Sequence, residues 1–225
     1  MVLASNEDRP FDDVDCLGVA ACKVSPVYEG QNFGIHVALL YRTDGNPARL
    51  AHLAWHFLHH PGDPPDARFR WAQIPLDSIN ASFVASWLED RWEKPELIPY
   101  GFSVTGDVWD QGTDTFIPPP CGEGLTCATF ILGTMRHLRL PIVQEDTWPY
   151  NRAEDLTWQA GIINMLEKHG AAADHVAALK NNVGAVRFRP EEVCGAAILP
   201  DWPITFDDAS TLAAEIVQLI GSCQT

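Results

Sequence analysis

Cys127 begins an apolar helical pattern directly after a loop rich in proline and glycine. Thr126, the residue before it, is a typical N-cap, and Pro141 limits how far a helix can continue. A thiol at a helix N-terminus lies at the positive end of the helix dipole, near unpaired backbone N–H groups that stabilise a thiolate or an oxyanion. The position predicts a cysteine nucleophile with a lowered pKa. A buried cysteine that packs as a small hydrophobic residue fits the same local pattern.

Two histidines in neighbouring strand patterns are the candidate partners of this thiol. His36 lies within the apolar run 33–42, and His52 lies within the run 48–56, after a turn signal at 43–47. Antiparallel strands joined by a turn bring such positions together. We therefore expect His36 to act as the base and His52 to orient its ring. Histidines that pack in the core with satisfied hydrogen bonds remain the alternative.

The cluster His52, His56, His59 and His60 raises the question of a metal ion. The spacing of His52 and His56 is that of a helical zinc motif, but the pattern there predicts a strand and the intervening glutamate is missing. We expect no metal, and a solvated rim for His56, His59 and His60. Neither a glycine-rich phosphate loop nor another cofactor motif occurs, so no cofactor is expected.

Composition restricts the partners and the compartment. The formal net charge is −15, and the 15 lysines and arginines form no basic run, which argues against nucleic acid and anionic membranes. No apolar stretch has the length of a signal peptide core or a membrane span, so we expect a cytoplasmic protein. The six cysteines are then expected to be reduced, with a redox pair of Cys121 and Cys127 as the alternative.

The elements that must position these residues fall into three parts. Residues 1–30 form an N-terminal segment, whose apolar run 16–24 fits either a strand or a helix. Residues 31–140 hold the strand patterns, a proline-rich loop at 60–65, a helix at 78–92 and a long loop at 105–124 that is expected to be functional. Residues 141–225 form a helical C-terminal region packed on this core.

Four segments, in chain order, resemble the circularly permuted branch of the NlpC-type papain-like cysteine enzymes, which includes lecithin:retinol acyltransferase and the YiiX-like amidases. They are HVALLY from His36, RLAH ending at His52, PYGFS containing Tyr100, and TCATFI containing Cys127. The resemblance covers about residues 30–140. Thr126 stands where the family usually has asparagine, and the stretch between 103 and 124 is longer than the usual link.

The resemblance implies an α+β fold in which a papain-like antiparallel sheet packs on the nucleophile helix, followed by an additional helical region. It implies a Cys127–His36–His52 site, assisted by Tyr100, that hydrolyses an amide or peptide bond through a thioester acyl-enzyme, as in a thiol protease or amidase. The expected partner is a peptide- or acyl-containing substrate. Acyl transfer is one alternative, and a non-enzymatic protein that binds a partner, such as through the C-terminal helices, is another.

Overall fold

A computed structural model describes residues 2–223, which form an α+β fold around one antiparallel sheet. The five strands are β1 (Leu17–Val24), β2 (Gly34–Tyr41), β3 (Arg49–Trp55), β4 (Leu58–Asp63) and β5 (Arg70–Gln73). Their order in the sheet is β4-β3-β2-β1-β5. The ambiguous run 16–24 is thus a strand, and it pairs with both β2 and β5. The sheet draws on the N-terminal segment and on the region after residue 31 alike.

Six α-helices accompany the sheet: α1 (Ser78–Glu89), α2 (Cys127–His137), α3 (Ala153–Lys168), α4 (Ala173–Lys180), α5 (Pro190–Ala197) and α6 (Phe206–Gly221). Helix α2 packs on β2 and β3, while α5 packs on β1 and β2 and also against α6. The helical region after residue 141 therefore reaches the sheet directly. No helix within residues 2–223 combines the length and the apolar character needed to cross a membrane.

The two faces of the sheet have different coverings, because successive strand residues point to opposite sides. Val37 and Leu39 of β2 belong to the large core that includes α2. Ala38 and Leu40 belong to a smaller core on the other face, which Phe69 completes. His36 has the same parity as Ala38, so its side chain points to the face opposite α2.

The loop predicted at 60–65 is in part the edge strand β4. Pro61 lies within it, and an edge strand tolerates proline because one side of its backbone has no strand partner. The carbonyl of Pro61 accepts a hydrogen bond from the Tyr41 hydroxyl at 3.0 Å. The prediction of a loop was wrong because it followed the proline and glycine content and ignored the edge position.

Candidate active site

Cys127 is the first residue of α2, and the helix start around it is closely fixed. The side chain of the N-cap Thr126 accepts a hydrogen bond from the backbone N–H of Thr129 at 3.2 Å. In return the Thr129 hydroxyl accepts one from the backbone N–H of Thr126 at 2.7 Å. This reciprocal capping box holds the first turn, so the position of the thiol is set by the helix end.

The thiol of Cys127 is buried, with 6% of the residue exposed. Burial raises its pKa to about 11, although hydrogen bonds from the backbone N–H groups of Val37 and Ala128 act in the opposite direction. The helix N-terminus thus does not produce the lowered pKa expected from the sequence. Desolvation of the thiolate outweighs the helix end, and the resting residue is a neutral thiol.

The contact between Cys127 and Val37 marks an opening in the sheet. Strands β2 and β3 pair only where Leu39–Tyr41 face Arg49–Ala51. Towards the start of β2 the two strands separate, and the backbone N–H of Val37 is directed at the Cys127 sulfur. The thiol therefore lies beside the backbone that carries His36, at the gap between the two strands.

His36 and His52 meet across this gap, as their places in neighbouring strands predict. Nε2 of His36 and Nδ1 of His52 are 2.9 Å apart, a hydrogen-bond distance. The two rings are in an edge-on arrangement, and Phe69 lies against both. The bond uses the Nε2 atom of His36, and its Nδ1 atom has no hydrogen-bond partner among residues 2–223.

Both histidines are neutral at physiological pH. Burial lowers the pKa of His36 to about 4, helped by the charges of His60 and Arg68. Burial also lowers the pKa of His52 to about 3, and the neighbouring His36 adds to the effect. Asp63 is the nearest counter-charge, with its carboxylate 3.9 Å from Nε2 of His52 and 2.9 Å from Nδ1 of His60. A hydrogen-bonded pair of neutral imidazoles is thus available to accept a proton.

The structure does not join the thiol and the base directly. Over residues 2–223, no hydrogen bond links Cys127 to the His36 ring, whose side chain points to the sheet face away from α2. Both residues nevertheless line one cavity of about 750 Å³, together with His52 and Tyr100. The gap between β2 and β3 connects the two sides. A nucleophile and a base that share a cavity can approach each other when a substrate orders the site.

Tyr100 is positioned by its backbone. Its N–H donates to Nδ1 of His56 at 3.0 Å, and its carbonyl lies 3.0 Å from Nε2 of His175. The Tyr100 ring packs against Trp55 and lines the cavity beside Cys127. Burial raises the pKa of the phenol, which keeps it a neutral hydrogen-bond donor at all ordinary pH values.

The expectation of a solvated rim is wrong for one of the three remaining histidines, His59. His59 is 7% exposed, accepts a hydrogen bond from the backbone N–H of Glu96 and packs on Phe130. His56 and His60 are both partly exposed, and Nδ1 of His56 accepts a hydrogen bond from the backbone N–H of Tyr100. The expectation failed for His59 because Trp109 and Phe130, which pack on its ring, come from distant parts of the chain. In the described part of the chain, no group of three or more histidines, cysteines and acids is arranged to hold a metal ion.

Sequence reasoning missed several residues that line the same cavity. Cys22 of β1 is directly paired with His36 and shares its face of the sheet. Its burial raises the thiol pKa to about 12. Trp158, Arg187 and Glu191 come from the helical region after residue 141. Of these residues, only Cys22 could have been found from the sequence. Finding it would have required the pairing register of β1 on β2, which places Cys22 opposite His36.

Comparison of the chain with models of protein families, with curated proteins and with solved structures finds no match.

Proposed function

We propose that the protein is a cysteine-dependent hydrolase that cleaves an amide or peptide bond through a thioester acyl-enzyme. The observation that carries this proposal is the shared cavity, which is lined both by Cys127, at a capped helix N-terminus, and by the hydrogen-bonded pair of His36 and His52. The arrangement supplies a nucleophile, a base and a residue that orients the base. In this proposal the sheet and α2 form a papain-like core of the permuted NlpC type.

In the first step, His36 takes the thiol proton through Nδ1 while the Cys127 sulfur attacks the substrate carbonyl carbon. The tetrahedral intermediate then collapses, the carbon–nitrogen bond breaks, and His36 returns the proton to the departing amine. In the second step, His36 takes a proton from water, the hydroxide attacks the thioester, and the thiol regains its proton as the acid leaves. The bond from Nε2 to His52 fixes the ring direction throughout.

The oxyanion of each tetrahedral intermediate needs donors at the helix end. The backbone N–H of Cys127 is one of the unpaired groups at the N-terminus of α2, where the helix dipole favours negative charge. The neutral phenol of Tyr100 lines the same cavity and is the second donor. The backbone of Tyr100 is hydrogen-bonded to His56 and His175, and its ring packs against Trp55.

The pKa directions bear on when a charged pair would form in this mechanism. Burial raises the pKa of the Cys127 thiol and lowers that of His36, so proton transfer before substrate binding is unfavourable. Attraction between thiolate and imidazolium lowers the first value and raises the second once the groups are in contact. In the proposed mechanism the proton therefore moves together with the attack on the carbonyl, without a stable ion pair beforehand.

A binding function without catalysis is the second candidate, and the raised pKa of Cys127 favours it. A neutral, buried thiol with no hydrogen bond to a base is inert by itself. In that case the cavity would hold a ligand that it does not cleave. Acyl transfer to an amine or alcohol is a variant of the hydrolase proposal, because it differs only in the acceptor that resolves the thioester.

Hydrolysis of acyl p-nitroanilides by single-cysteine variants tests the proposal. Cys127→Ser should abolish turnover, because a serine hydroxyl is far less ionised than a thiol, while the near-isosteric exchange leaves the fold intact. Cys22→Ser is the matched control, a buried cysteine of the same cavity, and should retain activity. Full turnover by Cys127→Ser would refute the assignment, and loss in Cys22→Ser alone would make Cys22 the nucleophile. No turnover of any such amide by the wild-type protein would favour the binding function.

A further inference from the structure

One wall of the cavity carries a partly unpaired arginine. Arg187 lines the cavity with Cys127 and Tyr100, and only 13% of its side chain is exposed. Its guanidinium group stacks over the ring of Trp158, with 3.9 Å between the Cζ atom and the ring centre. The stacking fixes the plane of the guanidinium group and leaves its edge available for hydrogen bonds.

The protein uses one of the Arg187 nitrogen atoms. Nη1 donates to a carboxylate oxygen of Asp155 at 3.0 Å, whereas Nε and Nη2 have no acceptor among residues 2–223. Asp155 also pairs with Arg152 and Arg189, so a single carboxylate is shared by three guanidinium groups. The charge of Arg187 is therefore incompletely balanced by its neighbours. Two adjacent N–H donors in a fixed plane match the two oxygens of a carboxylate.

Glu191 is an acidic side chain of the cavity wall whose charge acts on Arg187. It lines the cavity, and no ion pair of its carboxylate is found within residues 2–223. Burial raises the pKa of Glu191, while the charge of Arg187 acts in the opposite direction.

We propose that Arg187 is the binding site for a carboxylate group of the ligand that occupies this cavity. Resting on the hydrolase function proposed above, the substrate class is an acidic peptide or acyl amide whose carboxylate lies near the scissile bond. The chain has a formal net charge of −15, which repels anions at long range. That repulsion is screened beyond about 8 Å at physiological ionic strength, so contacts inside the cavity decide the affinity.

Calorimetric titration in the Cys127→Ala background tests this without turnover of the probe. The probes are acetyl-Ala-Ala with a free carboxylate and the same peptide as its C-terminal amide. The acid should bind about tenfold or more tightly than the amide, as expected for a hydrogen-bonded charged pair. Arg187→Met should remove this preference. The control Arg68→Met changes an arginine of the cavity wall that is 71% exposed and pairs with Asp66, and it should keep the preference.

Glu191→Gln should change the affinity for the acid in the opposite direction to Arg187→Met. Removal of the competing carboxyl should tighten binding of the acid and leave binding of the amide unaffected. This comparison also decides the case if Arg187→Met does not fold, as judged by circular dichroism. Equal affinity for acid and amide, no binding of the acid at millimolar concentration, or a retained preference in folded Arg187→Met would each overturn the inference. Binding does not require the thiol. If the acid does not bind at Arg187, the hydrolase proposal still stands. If the acid binds but the protein hydrolyses no amide, the hydrolase proposal is refuted and the carboxylate site still stands.

Discussion

The thiol and the imidazoles of this site are all neutral at rest, for the same physical reason. Burial disfavours the charged form of each group, which raises the pKa of Cys127 to about 11 and lowers that of His36 to about 4. Two backbone N–H groups at the sulfur act against the shift but do not cancel it. A neutral, buried thiol of this kind should react slowly with oxidants and alkylating agents.

The raised thiol pKa predicts how alkylation of Cys127 by iodoacetamide depends on pH. Since a raised pKa keeps the thiol protonated, the rate in the native protein should increase about tenfold per pH unit between pH 8 and 10. In the chain unfolded by guanidinium, the same residue should react about a hundredfold faster at pH 8, because an unperturbed thiol has a pKa of about 8.5. Peptide mass spectrometry measures both rates. A native rate that is constant from pH 6 to 9 would show a preformed thiolate, against this account.

Substitution of the two paired histidines should have unequal effects. His36→Ala should lower the turnover number by about 10² to 10⁴, the usual contribution of a general base. His52→Ala should cost less, because it acts only through the orientation of His36. His60→Ala is the matched control, since His60 stacks on His52 and, within residues 2–223, makes no hydrogen bond to His36. Equal, negligible losses for His36→Ala and His52→Ala would remove both from the mechanism.

At the residue scale, the sequence predicted the contact between His36 and His52 but not the state of Cys127. Two strand patterns joined by a turn signal are sufficient to predict that the two histidines lie close together. The pKa of the thiol depends on how completely α2, the sheet and the C-terminal helices exclude water. The residues around Cys127 in the sequence do not predict the extent of this burial. Arg187 and Glu191 were missed because they follow α4 in a part of the chain with no motif.

At the scale of elements, the N-terminus of α2 is the feature on which the proposed chemistry depends. Thr126→Ala removes the capping hydrogen bond and should reduce the free energy of unfolding by about 1 kcal/mol. Thr205→Ala, which removes the equivalent N-cap of α6, should destabilise the protein by a similar amount. Only Thr126→Ala should also slow turnover, because only it loosens the helix end that holds Cys127. Chemical denaturation and p-nitroanilide kinetics measure the two effects, and equal turnover in both variants would contradict this role.

The predictable elements were those with strong periodicity or clear end signals. The strand patterns around His36 and His52 became β2 and β3, and the pattern after Thr126 became α2. The edge strand β4 was not predictable from its own residues, since proline and glycine indicate a loop unless the sheet position is known. The run 16–24 was ambiguous for a related reason: it is buried on both faces, so its apolar residues show no alternation.

At the scale of the molecule, the cavity is built from all parts of the chain. The sheet contributes His36 and His52, α2 contributes Cys127, and α3 and α5 contribute Trp158 and Glu191. The arginines of the C-terminal region join α3 to α5, since Arg152 pairs with carboxylates of both helices. The helical region is thus one wall of the proposed active site. A role as a partner-binding surface remains a separate prediction.

The most direct measurement of the central claim is the detection of the acyl-enzyme itself. The protein is mixed with excess p-nitrophenyl acetate, quenched in acid within seconds, digested and examined by mass spectrometry. We expect one acetyl group on Cys127, with a matching burst of p-nitrophenolate, and slower acetylation in His36→Ala. Acetylation confined to other residues, or identical acetylation rates of Cys127 in the native and the unfolded chain, would contradict the proposal that Cys127 is a nucleophile activated by this site.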